Sequence, residues 1–161
     1  MINCVEVKNI KELSNLASEI WHEYWVCILS IEQINYMVEK FQSKKAIKNQ
    51  IKNENYTYFF IKQNDKNIGY IGLSKKEDYL FLSKFYVQKD FRNKGIGTQV
   101  FEFIKEFTQQ NHYKKIQLTV NKNNTNTINA YKKWGFEIVN SVVSPIGNGF
   151  VMDDYIMEYI L

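Results

Sequence analysis

The sequence predicts an α/β fold of the mixed-sheet (α+β) kind, with helices packed on parallel and antiparallel strands. Three observations predict it. Apolar side chains recur at helical spacing over residues 10–24. Two apolar runs, residues 56–61 and 68–73, are typical of strands joined by a polar turn. A third apolar run, residues 79–87, leads through a glycine-rich turn into another helical pattern.

The first part of the chain is predicted to be mostly helical. Residues 2–7 indicate a short strand, and the helix over residues 10–24 follows it. Ser30 and Gln33 form a capping-box pattern for a second helix that is expected to reach residue 41. Residues 43–51 indicate a further, less apolar helix.

Two hairpins are predicted next. The polar turn of residues 64–67 joins the strands 56–61 and 68–73, and a second turn at residues 76–78 leads into the strand 79–87. Three consecutive strands joined by short turns are expected to pair antiparallel.

The segment Arg92-Asn93-Lys94-Gly95-Ile96-Gly97-Thr98 joins that strand to a helix. Unpaired backbone N–H groups at a helix N-terminus, together with the helix dipole, form a site for phosphate. Gly95 and Gly97 lack the Cβ atoms that would hold a phosphate away, and Arg92 and Lys94 add positive charge. We therefore predict a pyrophosphate site here, although Gly-x-Gly before a helix is also an ordinary tight turn.

Two familiar phosphate loops do not fit this segment. A Walker A loop needs its lysine after the last glycine, and Lys94 precedes Gly95. The dinucleotide fingerprint needs a third small residue where Val100 stands. The remaining pattern, R-x-x-G-x-G, resembles the acetyl-CoA loop of the GNAT N-acetyltransferase superfamily.

A second segment, residues 124–136, resembles the other cofactor motif of the same superfamily. It follows an alternating strand at residues 116–120 and opens with Asn124 in a position that suits a helix N-cap. Tyr131 lies two turns later, and Gly135 suits the left-handed residue that ends a helix. The superfamily usually has alanine where Thr127 stands, which we interpret as a mild departure.

The chain ends with two predicted strands, residues 136–143 and 150–160, of which the second is apolar on both faces. The whole order matches what the resemblance implies, a β-α-α-β-β-β-α-β-α-β-β fold with splayed central strands. The specific motifs cover residues 85–136, and we expect residues 1–161 to form a single GNAT N-acetyltransferase domain.

The resemblance implies direct acetyl transfer from acetyl-CoA to a primary amine. Backbone groups of Phe85, Tyr86 and Val87 are expected to pair with the pantetheine amides like an added strand. Asn124 is expected to hold the pantetheine arm, and Lys133 either reaches a cofactor phosphate or is solvated. The amides expected to bind pyrophosphate are those of Arg92, Asn93, Lys94, Gly95, Ile96, Gly97 and Thr98.

Tyr131 is the predicted catalytic residue. Its hydroxyl would donate a hydrogen bond to the departing CoA thiolate, since full proton transfer from a phenol to a thiolate is uphill by about 2 kcal/mol. The alternative is a core tyrosine packed on Trp134.

The acceptor side is less specific in the sequence. Asp153 and Asp154 are adjacent in the last strand, so one would face inward and bind an amine while the other meets water, unless both are exposed. Glu23 and Trp25 are further tentative substrate residues, since they lie off the apolar stripe of the first helix.

The C-terminal run resembles bacterial polyamine N-acetyltransferases. Small polyamine-like amines are therefore placed ahead of peptide or protein amines, and a non-catalytic acyl-CoA-binding regulatory protein is the alternative.

Composition argues against other classes. A net charge of +4 without a basic run does not favour nucleic acid, and no apolar run is long enough for a membrane span. Cys4 and Cys27 lack metal-ligand spacing, so we expect no metal and a cytoplasmic protein with reduced thiols. A homodimer is left open.

Overall fold

One seven-stranded sheet organises the computed structural model, which describes residues 1–161. The strands are β1 (Ile2–Glu6), β2 (Tyr56–Gln63), β3 (Lys66–Lys75), β4 (Leu80–Val87), β5 (Lys115–Asn121), β6 (Glu137–Gly147) and β7 (Phe150–Ile160). The helices are α1 (Ile10–Tyr24), α2 (Ile31–Met37), α3 (Lys44–Asn53), α4 (Ile96–Gln110) and α5 (Thr125–Trp134). The strand order is β1-β2-β3-β4-β5-β7-β6. All neighbours are antiparallel except β4 and β5, so the predicted mixed sheet is confirmed.

Side-chain caps begin the first three helices, as the sequence predicts for the second of them. Asn9 accepts a hydrogen bond from the N–H of Glu12 at 3.1 Å, and Ser30 accepts one from Gln33 at 3.1 Å. The second helix differs from its prediction, because α2 ends at Met37 and Val38–Gln42 forms a π-helical turn. The wider turn directs the Phe41 carbonyl away from the helix, towards the sheet.

The β2–β3 hairpin has the tight turn that the polar sequence favours. Asn64 and Asp65 both have left-handed backbone angles, φ 49° and 65°, which match the twist of the flanking strands. β3 begins at Lys66, so the strand is longer than predicted.

The two central strands, β4 and β5, separate soon after they meet. Their parallel pairing consists of Leu80 opposite Ile116 and Phe81 opposite Gln117. Beyond that point a gap opens between the strands, as the resemblance to the superfamily implies. A bulge at Ser83 also changes which face of the sheet the side chains of β4 occupy.

The bulge matters because the two faces of the sheet carry different cores. Leu82 packs in the core beneath α4 and α5, whereas Tyr86 packs in the core beneath α1, α2 and α3. Without the extra residue, strict alternation would place Lys84 on the same face as Leu82. With it, the amine of Lys84 contacts Tyr58 and Phe41 on the α1–α3 side.

The β6–β7 hairpin forms one edge of the sheet and docks on α2. The Tyr36 hydroxyl donates to the carbonyl of Ile146 at 2.7 Å. Asp154 and Met157 are the only buried residues of β7, although its sequence is apolar on both faces. No helix in the chain combines the length and apolarity needed to cross a bilayer.

Candidate active site

The loop before α4 presents a series of free backbone donors. None of the N–H groups of residues 93–98 donates to an acceptor in the protein. Asn93 and Gly95 have left-handed angles, φ 60° and 77°, and Gly95 stands at the N-cap of α4 without a capping side chain. A Cβ atom on Gly95 would meet no protein atom within 4 Å, so open space adjoins these donors. The arrangement fits a doubly charged pyrophosphate.

The sequence suggests that position 97 is glycine so that a phosphate can approach. The structure gives a different reason. A Cβ atom there would lie 3.2 Å from a ring carbon of Trp134. The missing side chain therefore lets α4 approach α5 closely.

Arg92 and Glu23 connect this loop to α1. Arg92 donates from Nε to the carbonyl of Val87 at 2.8 Å, and its guanidinium lies over the ring of Tyr24, 4.9 Å from the centroid. Glu23 lies 3.6 Å from Arg92 Nη2 and accepts a hydrogen bond from the Lys89 N–H at 2.7 Å. The structure thus places Glu23 at the loop and outside the acceptor cavity described below.

A cleft of about 610 Å³ runs from this loop along the gap between β4 and α5. It is lined by residues that the motifs predict, namely Phe85, Tyr86, Val87, Arg92, Asn93, Gly97, Asn124 and Tyr131. Lys94 and Lys133 are exposed and do not line it. Tyr24, Asn126 and Thr127 line it without having been predicted as cofactor residues.

Three side chains tie α1 to α5 at the middle of the cleft. The Asn124 amide donates to the Tyr24 hydroxyl at 2.6 Å, and that hydroxyl lies 2.6 Å from the Thr127 hydroxyl. Asn124 occupies the N-cap position of α5, but its side chain makes no capping bond. Thr127 is therefore more than a mild departure from alanine, because it takes part in this contact.

A second cavity, of about 310 Å³, lies deeper between β4, β5 and β7 and is called the acceptor cavity. Tyr131 lines both the cleft and the acceptor cavity. Burial, with a smaller contribution from the phenol of Tyr24, raises the pKa of Tyr131 above the ordinary phenol range. Its hydroxyl therefore stays protonated and available as a donor. Trp134 also contacts it, with ring centroids 5.7 Å apart.

The two adjacent aspartates face opposite sides of the sheet. Asp154 is 7% exposed and lines the acceptor cavity, with an Oδ1 that has no hydrogen-bond partner. Asp153 is exposed and pairs with Lys122 at 2.9 Å. Burial and the charge of Asp153 raise the pKa of Asp154 to about 6, against an opposing effect of Lys122. Trp25, the other tentative substrate residue, is buried and lines the same cavity.

Lys84 is a cavity residue that sequence reasoning missed. It is 5% exposed, and its ammonium donates to the Phe41 carbonyl at 2.8 Å, to Gln50 Oε1 at 3.1 Å and to the Tyr58 hydroxyl. Burial lowers its pKa to about 7, against an opposing effect of the Glu54 carboxylate. The sequence feature that could have indicated a cavity role for Lys84 is its position as a single lysine within the apolar run of β4. No three His, Cys, Asp or Glu side chains converge as metal ligands.

Known proteins resemble this chain in sequence or in fold. The Drosophila melanogaster protein named "Probable N-acetyltransferase san" is 44% identical over 52 residues, which are 32% of this chain and 28% of that protein's length. PaiA N-acetyltransferase from Thermoplasma acidophilum, solved in complex with coenzyme A, superposes with a TM-score of 0.83 at 20% identity, over 100% of this chain and 99% of that one. The ribosomal-protein-S18-alanine N-acetyltransferase of Escherichia coli gives a TM-score of 0.72 at 17% identity, over 99% and 94% of the two chains.

At these identities the solved structures show a shared fold. The family itself is shown by a model described as "Acetyltransferase (GNAT) family", which matches residues 15–136 and so includes both motifs. The resemblance drawn from the two motifs is therefore confirmed, and this chain belongs to the acetyltransferase (GNAT) family.

Proposed function

We propose that the protein transfers the acetyl group of acetyl-CoA directly to the primary amine of a small molecule. The observation that carries this proposal is the position of Tyr131, which lies where the cofactor cleft meets the acceptor cavity. The donors at residues 93–98 would hold the pyrophosphate, and the unpaired edge of β4 at Phe85, Tyr86 and Val87 would hold the pantetheine arm. When bound, acetyl-CoA supplies the acetyl group as a thioester.

Asp154 is proposed to receive the amine. Its unpartnered Oδ1 would accept a hydrogen bond from the acceptor's ammonium and then take its proton, which leaves a neutral nitrogen able to attack. A carboxylate with a pKa of about 6 is a better base at neutral pH than an ordinary aspartate. Asp153, on the opposite face, has no such role.

Tyr131 is proposed to stabilise the leaving sulfur. A phenol that stays protonated can donate a hydrogen bond to the negative charge that develops as the carbon–sulfur bond breaks. Asn124 and Thr127, joined to Tyr24, would hold α5 and therefore Tyr131 in register with β4.

The acceptor is proposed to be a small amine, for which the volume of the acceptor cavity, about 310 Å³, is sufficient. The polyamine class suggested by the C-terminal sequence is supported by Asp154, which offers a carboxylate to an ammonium. Peptide or protein N-termini are the second candidate, because a structural neighbour is named for acetylating a ribosomal-protein alanine.

The test is Tyr131→Phe, measured as CoA release in the presence of amines and as CoA affinity by calorimetry. We expect turnover to fall by about 10²–10³-fold, because one donor to a developing anion is lost. CoA affinity should stay within about threefold of wild type. An unchanged turnover would remove Tyr131 from the mechanism. Tight CoA binding by a wild-type protein that acetylates no amine would favour the non-catalytic alternative.

The single-domain organisation and the compartment are also proposals. Both cores pack on the same sheet, which supports one domain over residues 1–161. Cys4 and Cys27 are unpaired thiols, and this supports a reducing compartment such as the cytoplasm.

A further inference from the structure

The polar groups of the acceptor cavity divide into an acceptor on one wall and donors on the other. Asp154, on β7 beside Asn121 of β5, presents a buried oxygen without a partner. Lys84, on β4 across the gap, presents an ammonium, and Gln42 of the π-helical turn presents an amide Nε2 without a partner. All of these residues line the cavity.

From this division we infer that the acceptor carries a carboxylate as well as the reacting amine, with the carboxylate bound at Lys84 and Gln42. The inference rests on the proposed function and narrows it to amino-acid-like amines. An amine bound at Asp154 and a carboxylate bound on the β4 wall would complement both charges of the cavity.

Lys84 has no ion-pair partner in the protein, although the negative charge of Glu54 acts on it without forming such a pair. Its three hydrogen-bond partners are a carbonyl, an amide oxygen and a hydroxyl, and it forms no ion pair with Asp154. A buried ammonium without a paired anion is unfavourable, and burial lowers its pKa to about 7 despite the opposing effect of Glu54. A ligand carboxylate would supply the paired anion.

The ammonium can also turn one N–H to a ligand without leaving a protein group unpaired. The Phe41 carbonyl accepts a second hydrogen bond from Gln50 Nε2 at 3.1 Å, and Gln50 Oε1 accepts a second one from the Tyr58 hydroxyl. Each of these oxygens therefore keeps a donor if Lys84 reorients.

Gln42 supplies the second donor. It is fully buried, and its Oε1 accepts a hydrogen bond from Tyr70 at 3.0 Å, whose hydroxyl in turn accepts one from Trp21 at 2.7 Å. This chain fixes the amide so that Nε2 has no acceptor in the protein. A buried N–H without a partner is rare, and a carboxylate oxygen in the cavity would satisfy it.

A polyamine complements this wall less well. Its second ammonium would lie near the positive charge of Lys84. Asp154 is the only carboxylate that lines the cavity. The C-terminal sequence therefore suggests an acceptor with a second, positively charged ammonium. The cavity suggests an acceptor with a negatively charged carboxylate in its place.

The experiment compares matched acceptors. Purified protein and acetyl-CoA are incubated with glycine, β-alanine, leucine, phenylalanine or ornithine, each beside its own carboxamide, and with putrescine and spermidine. The amides have more free amine at a given pH, so amine basicity cannot produce a preference for the acids. We expect kcat/KM for the preferred acid to exceed that for its amide by about 10- to 100-fold, the range for a hydrogen bond to a charged group.

Lys84→Met should remove this preference, with an acid-to-amide ratio near one, while CoA still raises the melting temperature. Lys45→Met, an exposed lysine of α3, is the matched control and should keep the ratio. If the amides or the polyamines are acetylated with the same kcat/KM as the acids, the inference is overturned and the proposed function still stands. So would a folded Lys84→Met protein that keeps the preference. Failure to acetylate any amine would overturn both. The wild-type ratio decides the inference even if the variant does not fold.

Discussion

The cofactor cleft and the acceptor cavity are built in opposite ways. The proposed phosphate-binding part of the cleft consists of consecutive backbone amides, residues 93–98, exposed by one turn at one helix end. The acceptor cavity is lined by side chains from elements that are far apart in the sequence, among them α1, the π-helical turn, α3, β4, β5, α5 and β7. A contiguous site can be recognised from a motif, whereas a dispersed site depends on the whole fold.

The two regions also differ in their contribution to stability. The loop amides are neutral and border open space, so leaving them free is inexpensive. The acceptor cavity buries an ammonium and a carboxylate that do not pair with each other, and both pKa values move towards neutrality. Burying such charges destabilises the fold, and this cost indicates a function.

The largest effect is expected for Asp154→Asn. The amide cannot take a proton, so kcat/KM should fall by about 10²–10⁴-fold, while CoA affinity stays unchanged. Asp153→Asn is the matched control because it changes the neighbouring residue on the opposite, exposed face. Steady-state CoA release measures both variants, and equal losses would contradict the division of roles between the two aspartates.

The pH dependence of kcat/KM should show the ionisation of Asp154. Since the pKa of Asp154 is raised to about 6, the reactive carboxylate is present above that pH and is lost as the pH falls through it. We expect kcat/KM at pH 5 to be about tenfold below its value at pH 7, from this group alone. The inflection near pH 6 should be missing from the Asp154→Asn profile, and its persistence there would assign it to another group.

Lys84 should reveal the stability cost of the acceptor cavity. Its folded-state pKa, about 7, lies below the ordinary lysine value of 10.5, so the unfolded chain binds the extra proton between these values. The wild-type protein should gain about 2 kcal/mol of unfolding free energy relative to Lys84→Met between pH 7 and 9. The difference should become flat below about pH 6, where Lys84 is protonated in both the folded and the unfolded state. Urea denaturation at each pH measures it, with Lys45→Met as the exposed-lysine control.

The sequence predicted the fold and the cleft more fully than the cavity. The Arg92–Gly97 pattern and the Asn124–Gly135 pattern are local, so they predicted the phosphate loop, the splayed strands and the candidate position of Tyr131. The roles of individual residues in the site stay predictions until they are measured.

The acceptor cavity could not be predicted, for two physical reasons. The bulge at Ser83 sets which face Lys84 occupies, and one extra residue in a strand leaves no clear mark in the sequence. The π-helical turn brings Phe41 and Gln42 to the cavity, although their region looked like a continuous helix. The sequence left open whether one aspartate of the pair faces inward or both are exposed, and the register of β7 was needed to identify Asp154.

Replacing each of the two loop glycines with alanine should impair a different property of the protein. Gly95→Ala should cost about 1–2 kcal/mol of backbone strain at φ 77° and place a methyl group in the open space, so CoA affinity should fall too. Gly97→Ala should act through the 3.2 Å contact with Trp134, so it should lower stability first. Calorimetric CoA titration and thermal melting separate the two. Equal losses of CoA affinity at equal stability would contradict the distinction.

The smallest effect is expected where the two regions meet, at Thr127. Thr127→Ala installs the residue that is usual in the superfamily and removes one hydrogen bond to Tyr24, which contributes about 1 kcal/mol. Tyr24 keeps its bond from Asn124, so the fold should survive with a slightly lower melting temperature. Because Tyr24 lines both the cleft and the cavity, KM should rise a few-fold for acetyl-CoA and for the amine together. Thr127→Ser keeps the hydroxyl and should keep both constants. A change in only one KM would show that the hydroxyl serves one region and that the two are less connected than their shared tyrosine indicates.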